Sequence, residues 1–254
     1  MKAQRWRDRA AALGFAVGVL LVWHVLSTLK VISPLFFPTP LRTLGELWAQ
    51  VTDGRLWPPL AATALRMVYG WLAASLLGIA LGALIASSRL VRAMFQPLLE
   101  FLRPLPASAV IPVAVLAFGL SDRMSTAVIA FGSIWPVLLA SVHGFGSVDA
   151  RLQEVAQALR MPWPERFRKV LLPSAMPDIL AGARVGLAVA LILAVVTEMQ
   201  ASLPGLGQNI LMAQRSFRSP ELYAGVVVLG LMGFAASVLL QVLERYVLRW
   251  RQAP

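Results

Sequence analysis

From Ala10 to Leu29 the chain runs for 20 residues without a charged side chain. As an α-helix such a run is about 30 Å long, the thickness of a bilayer core. In lipid every backbone polar group must be satisfied within the chain, so a run of this kind leaves little choice but helix. Similar apolar runs recur at Ala61–Ser88, Pro104–Leu120, Met124–Val142, Ile179–Thr197 and Leu222–Leu243. The pattern predicts an all-α membrane protein with about six transmembrane helices, forming a single transmembrane domain over residues 1–254. A cleaved signal peptide is the alternative for the first run. That run is long for a signal and no small-residue cleavage site follows it, which favours an uncleaved span.

Composition agrees. Hydrophobic residues make up 58% of the chain and charged ones 14%, a balance that only a membrane protein comfortably carries. The polar stretches are too short for a separate soluble domain. The net charge of +11 sits beside the apolar runs, so an anionic lipid surface is a better partner than nucleic acid. The absence of cysteine excludes disulfides, thiolate metal sites and thiol catalysis.

Two runs carry stripes of small residues at four-residue spacing: Ala74, Gly78, Gly82 and Ala86, then Gly182, Gly186, Ala190 and Ala194. Such stripes let helices approach closely, since packing drives association in lipid. Small residues are also common in any membrane helix. Pro112 and Pro136 lie inside spans, where a proline leaves a backbone carbonyl for a neighbour or water to satisfy. They suit helices that line a pathway, although kinked structural helices are as common. Between the first two runs, Leu41 to Val51 reads as an interfacial helix, with Trp48 and Trp57 at headgroup depth. Arg89, Arg92 and Arg103 flank what reads as a short turn, and residues 204–218 read as a polar loop.

Charge orients the spans. With the N-terminus cytoplasmic and six crossings, 16 of the 23 Lys and Arg residues fall on the cytoplasmic side. The positive-inside rule therefore places both termini in the cytoplasm. The same orientation puts the one structured polar stretch, Glu154 to Pro173, on the cytoplasmic side between spans four and five. There Leu152, Val155, Ala156 and Leu159 recur at helical spacing, with Asp149 as N-cap. Pro162 breaks that helix and Pro164 opens a second one, bearing Phe167, Val170 and Leu171; Pro173 is expected to stop it. Two short amphipathic helices at an angle make a knob for a partner to grip, or a segment lying on lipid headgroups.

This stretch resembles the coupling segment of the permease subunits of bacterial ABC importers. Glu154, Val155 and Ala156 stand at the family's Glu-Ala-Ala triplet, and Val170, Leu172 and Pro173 at its downstream end. Arg160 takes the place of the family's Gly, six residues after the Glu. A glycine tolerates φ > 0 freely, whereas an arginine does so at a cost of about 1 kcal/mol or more. Further matches are similar to the sulfonate, taurine and nitrate branch. They are Pro38-Thr39-Pro40, Arg66 with Gly70, Leu102-Arg103-Pro104-Leu105-Pro106, Ile111-Pro112, Phe118-Gly119, Gly182 with Arg184, Glu198-Met199 and Gly205-Leu206-Gly207. The resemblance covers about residues 35–235.

The resemblance implies a homodimer of permeases in the bacterial inner membrane, a cytoplasmic pair of ABC ATPases that uses ATP-Mg, and a periplasmic or lipid-anchored solute-binding protein. It implies alternating access, driven through Glu154, Val155, Ala156, Leu159, Arg160, Phe167, Val170, Leu172 and Pro173. It also implies a small organic or inorganic anion as solute, with a thiamine-precursor pyrimidine or similar aromatic compound as the alternative. Pro112, Pro136, Arg184 and Glu198 are the candidate pathway residues, because proline and charge within a span invite a functional reading. Arg66, Arg184 and Glu198 lie near span ends, where snorkelling is the plainer account, and Glu198 has a loop arginine as an alternative partner.

The chain itself is expected to hold no nucleotide, metal or catalytic group. No G-x-x-x-x-G-K-[ST] or H-E-x-x-H motif occurs, and His24 and His143 fall in different segments. There is no series of intramembrane carboxylates, which counts against a proton-coupled carrier. A channel or carrier working without an ATPase, and a non-transporting scaffold, are the competing classes.

Overall fold

The computed structural model describes residues 2–29 and 31–249. Arg251, one of the basic residues of the predicted cytoplasmic tail, lies outside them. The described residues fold into helices α1 (Lys2–Thr28), α2 (Pro40–Thr52), α3 (Trp57–Ser87), α4 (Arg89–Leu102), α5 (Ala107–Phe118) and α6 (Asp122–Gly146), then α7 (Ala150–Ala158), α8 (Trp163–Arg166), a π-helical turn (Phe167–Leu171), α9 (Leu172–Ala201), α10 (Leu206–Arg215) and α11 (Ser219–Val247). Among the described residues, four stretches are long and apolar enough to cross a bilayer by themselves: α3, α6, the unit from α8 through α9, and α11.

The middle of the chain departs from the reading of the sequence. Residues 89–102 are a 14-residue amphipathic helix, not part of a short turn. The third apolar run yields only the 12-residue α5, and α4 meets it at 96°. Two prolines cause this bend. Pro106 is the N-cap of α5, and Pro104, without an N–H, cannot continue α4. Residues 206–215, read as a loop, form α10, which buries Leu206, Ile210 and Ala213.

Pro173 does not stop the helix. The chain is helical without interruption from Trp163 to Ala201, 39 residues. Proline removes the N–H that would bond the carbonyl four residues back and crowds it. Here the wider π turn of Phe167–Leu171 lies just upstream of Pro173 and relieves that crowding. At 1.5 Å per residue the rod is about 58 Å long, roughly twice the hydrocarbon thickness, so one end stands clear of it.

The core is a three-helix packet with α6 in the middle. Both small-residue stripes face it. A Cβ on Gly78 would lie 3.1 Å from that of Val137, and one on Gly82 would strike Ser141. From the other side, a Cβ on Gly182 would lie 2.5 Å from that of Ala140 and 2.6 Å from the Pro136 carbonyl oxygen, and one on Gly186 would lie 3.1 Å from the Ser133 oxygen. Ala74, Ala190 and Ala194 are fully buried along the same lines. The absent side chains are what allow α3 and α9 to close on α6. Trp71 adds a bond across the packet, its Nε1–H donating to the Ala183 carbonyl at 2.8 Å.

The remaining helices lie outside this packet. Leu47 and Val51 of α2 pack with Leu56, Leu206 and Val228, while Leu44 and Trp48 face outward. Trp23 of α1 donates to the Pro38 carbonyl at 3.0 Å and lies 5.8 Å from the Tyr223 ring, which joins α1 to α11. Large apolar side chains of α1, α3 and α11 are exposed in the single chain, as expected where lipid or another helix covers them.

Candidate functional site

Asp149 starts the elbow that follows α6. Its Oδ1 accepts the Arg151 N–H at 2.9 Å, the N-cap that its position in the sequence predicts. The α7 helix ends two turns later in a Schellman motif. The Met161 N–H bonds the Ala156 carbonyl at 3.0 Å, and the Arg160 N–H bonds the Gln157 carbonyl at 2.9 Å. This stop needs a left-handed residue, and Arg160 supplies it with φ of 49°. The elbow thus keeps a glycine-favouring backbone with an arginine in it. Pro162 is the N-cap of α8 and Pro164 lies in its first turn.

The elbow has an inner and an outer side. Ala156 is 1% exposed and packs inward. Phe167 stacks between Trp163 and Phe145, with centroid distances of 5.4 and 5.7 Å. It clusters there with Leu171, Leu172, Ala175 and Ile179, which anchors the elbow to α6 and α9. Arg166 Nη2 donates to Gln153 Oε1 at 3.0 Å and fixes α8 against α7. Val170, Leu172 and Pro173 are half-buried. Glu154, Val155, Leu159 and Arg160 all face outward. Val155 at 56% and Leu159 at 69% exposure therefore form an apolar patch that nothing among the described residues covers.

The candidate pathway residues do not converge. Arg184 and Glu198 are 14 residues apart on α9, about 21 Å along its axis. Arg184 pairs with Glu244 of α11. Pro112 is exposed on α5 and Pro136 is half-buried in α6.

Glu198 is fully buried, and its partner is Arg66 of α3, 132 residues earlier, instead of a loop arginine. Glu198 Oε1 accepts from Arg66 Nη1 at 2.8 Å, and Oε2 accepts from the Gly207 N–H at 2.9 Å and Thr63 Oγ1 at 3.0 Å. Arg66 also donates through Nε to Asp122 Oδ1 at 2.7 Å, and through Nη1 to the Pro204 carbonyl at 2.6 Å. A Cβ on Gly205 would collide with the Glu198 carboxylate, so the loop passes only because that residue is glycine. This knot joins α3, α6, α9 and α10. Sequence reasoning missed it, although an Arg within one apolar run and a Glu at the end of another were a signal, since each needs a partner at the membrane.

A bundle of membrane-crossing helices around a close-packed middle helix, with a capped elbow raised on the overhanging end of one crossing, defines a polytopic membrane protein. The chain belongs to the family of binding-protein-dependent transport system inner membrane components, whose model matches residues 74–252. It is 32% identical to the putative aliphatic sulfonates transport permease of Bacillus subtilis, over 92% of this chain and 85% of that one. It is likewise 32% identical to the taurine transport system permease of Escherichia coli, over 97% and 92%. The bicarbonate transport system permease of Synechococcus elongatus is 27% identical over 97% and 93%. Among solved structures, an inward-facing MetNI methionine ABC transporter shares the fold. Its TM-score is 0.65 at 16% identity, covering 76% of this chain and 95% of that one.

Proposed function

We propose that this chain is the membrane half of an ATP-driven importer, and that α7 and α8 are the handle by which a cytoplasmic ATPase moves it. The observation that carries this reading is the elbow. It is rigidly capped, anchored inward by Ala156 and Phe167, and shows Glu154, Val155 and Leu159 to the outside. An apolar patch of this size on a fixed short helix suits a groove on a partner protein. Both termini and the elbow lie in the cytoplasm, and two copies of the chain pair across the pathway. A binding protein on the outer side delivers the solute.

The relatives named for sulfonates, taurine and bicarbonate share one chemistry, a small solute bearing an anionic oxygen group. A solute of that class is the best-supported cargo, and ATP-Mg acts only on the partner.

Reconstitution in vesicles tests the assignment. With the co-purifying ATPase and its binding protein, uptake of labelled taurine or an alkanesulfonate is expected only when ATP is present. Flux that follows a gradient without ATP would make the chain a channel or carrier, and no flux under any condition would make it a scaffold.

A further inference from the structure

We infer that the cleft between α4 and the elbow binds the phosphate headgroup of an anionic phospholipid from the adjoining leaflet. The cleft is about 670 Å³ and is lined by Ser87, Ser88, Arg89, Arg92, Trp163 and Arg166, among others. It brings three guanidinium groups together from two parts of the chain that lie more than 70 residues apart. Among the described residues none of the three makes an ion pair, and no carboxylate lines the cleft. Arg166 donates through Nη2 to Gln153, yet its Nε is buried without any acceptor. The α4 N-terminus, capped by Ser88, opens on the same space. Unpaired guanidinium groups beside a helix N-terminus call for an anion with several acceptor oxygens, and phosphate suits them.

The source follows from α4. This helix buries none of its residues. Leu90, Met94, Leu98 and Phe101 lie along one side of it and are 50–70% exposed. It stands at 96° to the membrane segment α5. A helix so placed lies in the bilayer surface with its apolar side among the acyl chains. Arg89 and Arg92 are then at headgroup depth. A lipid phosphate reaches the cleft from that layer without leaving its leaflet. Bound there, it bridges α4 to Arg166 of the elbow. The inference does not depend on which solute is carried.

The test uses the purified full chain in detergent, with retained and titrated lipid counted by native mass spectrometry. Phosphatidylglycerol is expected to bind at one tight site and phosphatidylethanolamine far more weakly. Replacing both Arg89→Gln and Arg92→Gln should weaken phosphatidylglycerol binding roughly tenfold or more, since each surface cation contributes severalfold. The pair Arg245→Gln and Arg249→Gln, basic residues in the last turn of α11 and just beyond it, should leave that site intact. Equal loss in both double variants would reduce the effect to general surface charge and overturn the inference. Inorganic phosphate that binds by itself and displaces the lipid at millimolar concentration would overturn the lipid source. Elution of the double variants at the wild-type volume on size exclusion checks that both remain folded.

Discussion

Replacing Glu198 by alanine should be among the most damaging single changes in the chain. The wild-type carboxylate has no exposed atom and accepts from Arg66, Thr63 and the Gly207 N–H. Its removal leaves a guanidinium that is 9% exposed with one carboxylate partner, the largely exposed Asp122, and the Pro204 carbonyl. It also leaves the buried Gly207 N–H without an acceptor. Breaking a buried ion pair from one side costs about 3–5 kcal/mol, and an orphaned buried donor alone costs about 1–3 kcal/mol. These overlap, so we expect a loss of about 4 kcal/mol for Glu198→Ala. Glu198→Gln keeps the shape but turns an N–H₂ toward one of three donors, and should cost about half as much. The assay is unfolding of the purified chain in mixed micelles with rising SDS, followed by circular dichroism. A cycle with Arg66→Met sharpens it, because the double variant no longer buries an unpaired charge. It should be more stable than the sum of the single losses predicts. A loss below about 1 kcal/mol for Glu198→Ala, or simple additivity with Arg66→Met, would refute the idea that the knot holds α3 to α9.

Arg160→Gly should be tolerated and raise stability by up to about 1 kcal/mol, because glycine adopts the left-handed conformation without strain; thermal melting measures it. A loss of uptake in that variant would mean that the arginine makes a contact of its own. Gly182→Ala should cost more than Gly186→Ala, since the added methyl would meet atoms at 2.5–2.6 Å in the first case and 3.1 Å in the second; the order of the two melting temperatures decides it. Glu154→Ala should weaken co-purification of the ATPase while leaving the melting temperature unchanged, as the residue is exposed on α7. Full co-purification together with full uptake would remove Glu154 from the docking surface.

What the sequence shows and what it hides divide along local and distant contacts. The elbow was legible where its devices are local side-chain signals, since Asp149 caps two residues on and Pro162 and Pro164 fix the next start, but the left-handed stop at Arg160 was not read from an arginine. The stripes were legible as period-four patterns, but not the fact that both meet the same helix. That depends on how α3 and α9 are brought to α6. The Arg66–Glu198 bond spans 132 residues, and no local pattern encodes it. The stop expected at Pro173 failed because the π turn of Phe167–Leu171 relieves the crowding there, in a 39-residue helix anchored by Phe167 and Ile179. The amphipathic period of α4 was present in the sequence, but its arginines drew attention to the polar side alone.

The unbroken rod from Trp163 to Ala201 makes the elbow and the Arg66–Glu198 knot the two ends of one lever. From Trp163 to Glu198 it measures about 52 Å, so a swing of about 5° at one end displaces the other by roughly 4–5 Å. That exceeds the reach of any hydrogen bond holding Glu198. The bonds survive such a swing only if α3 travels with α9, and the interlocked glycines make α6 travel as well. Torque applied at the elbow is therefore delivered to three helices turning as a solid block.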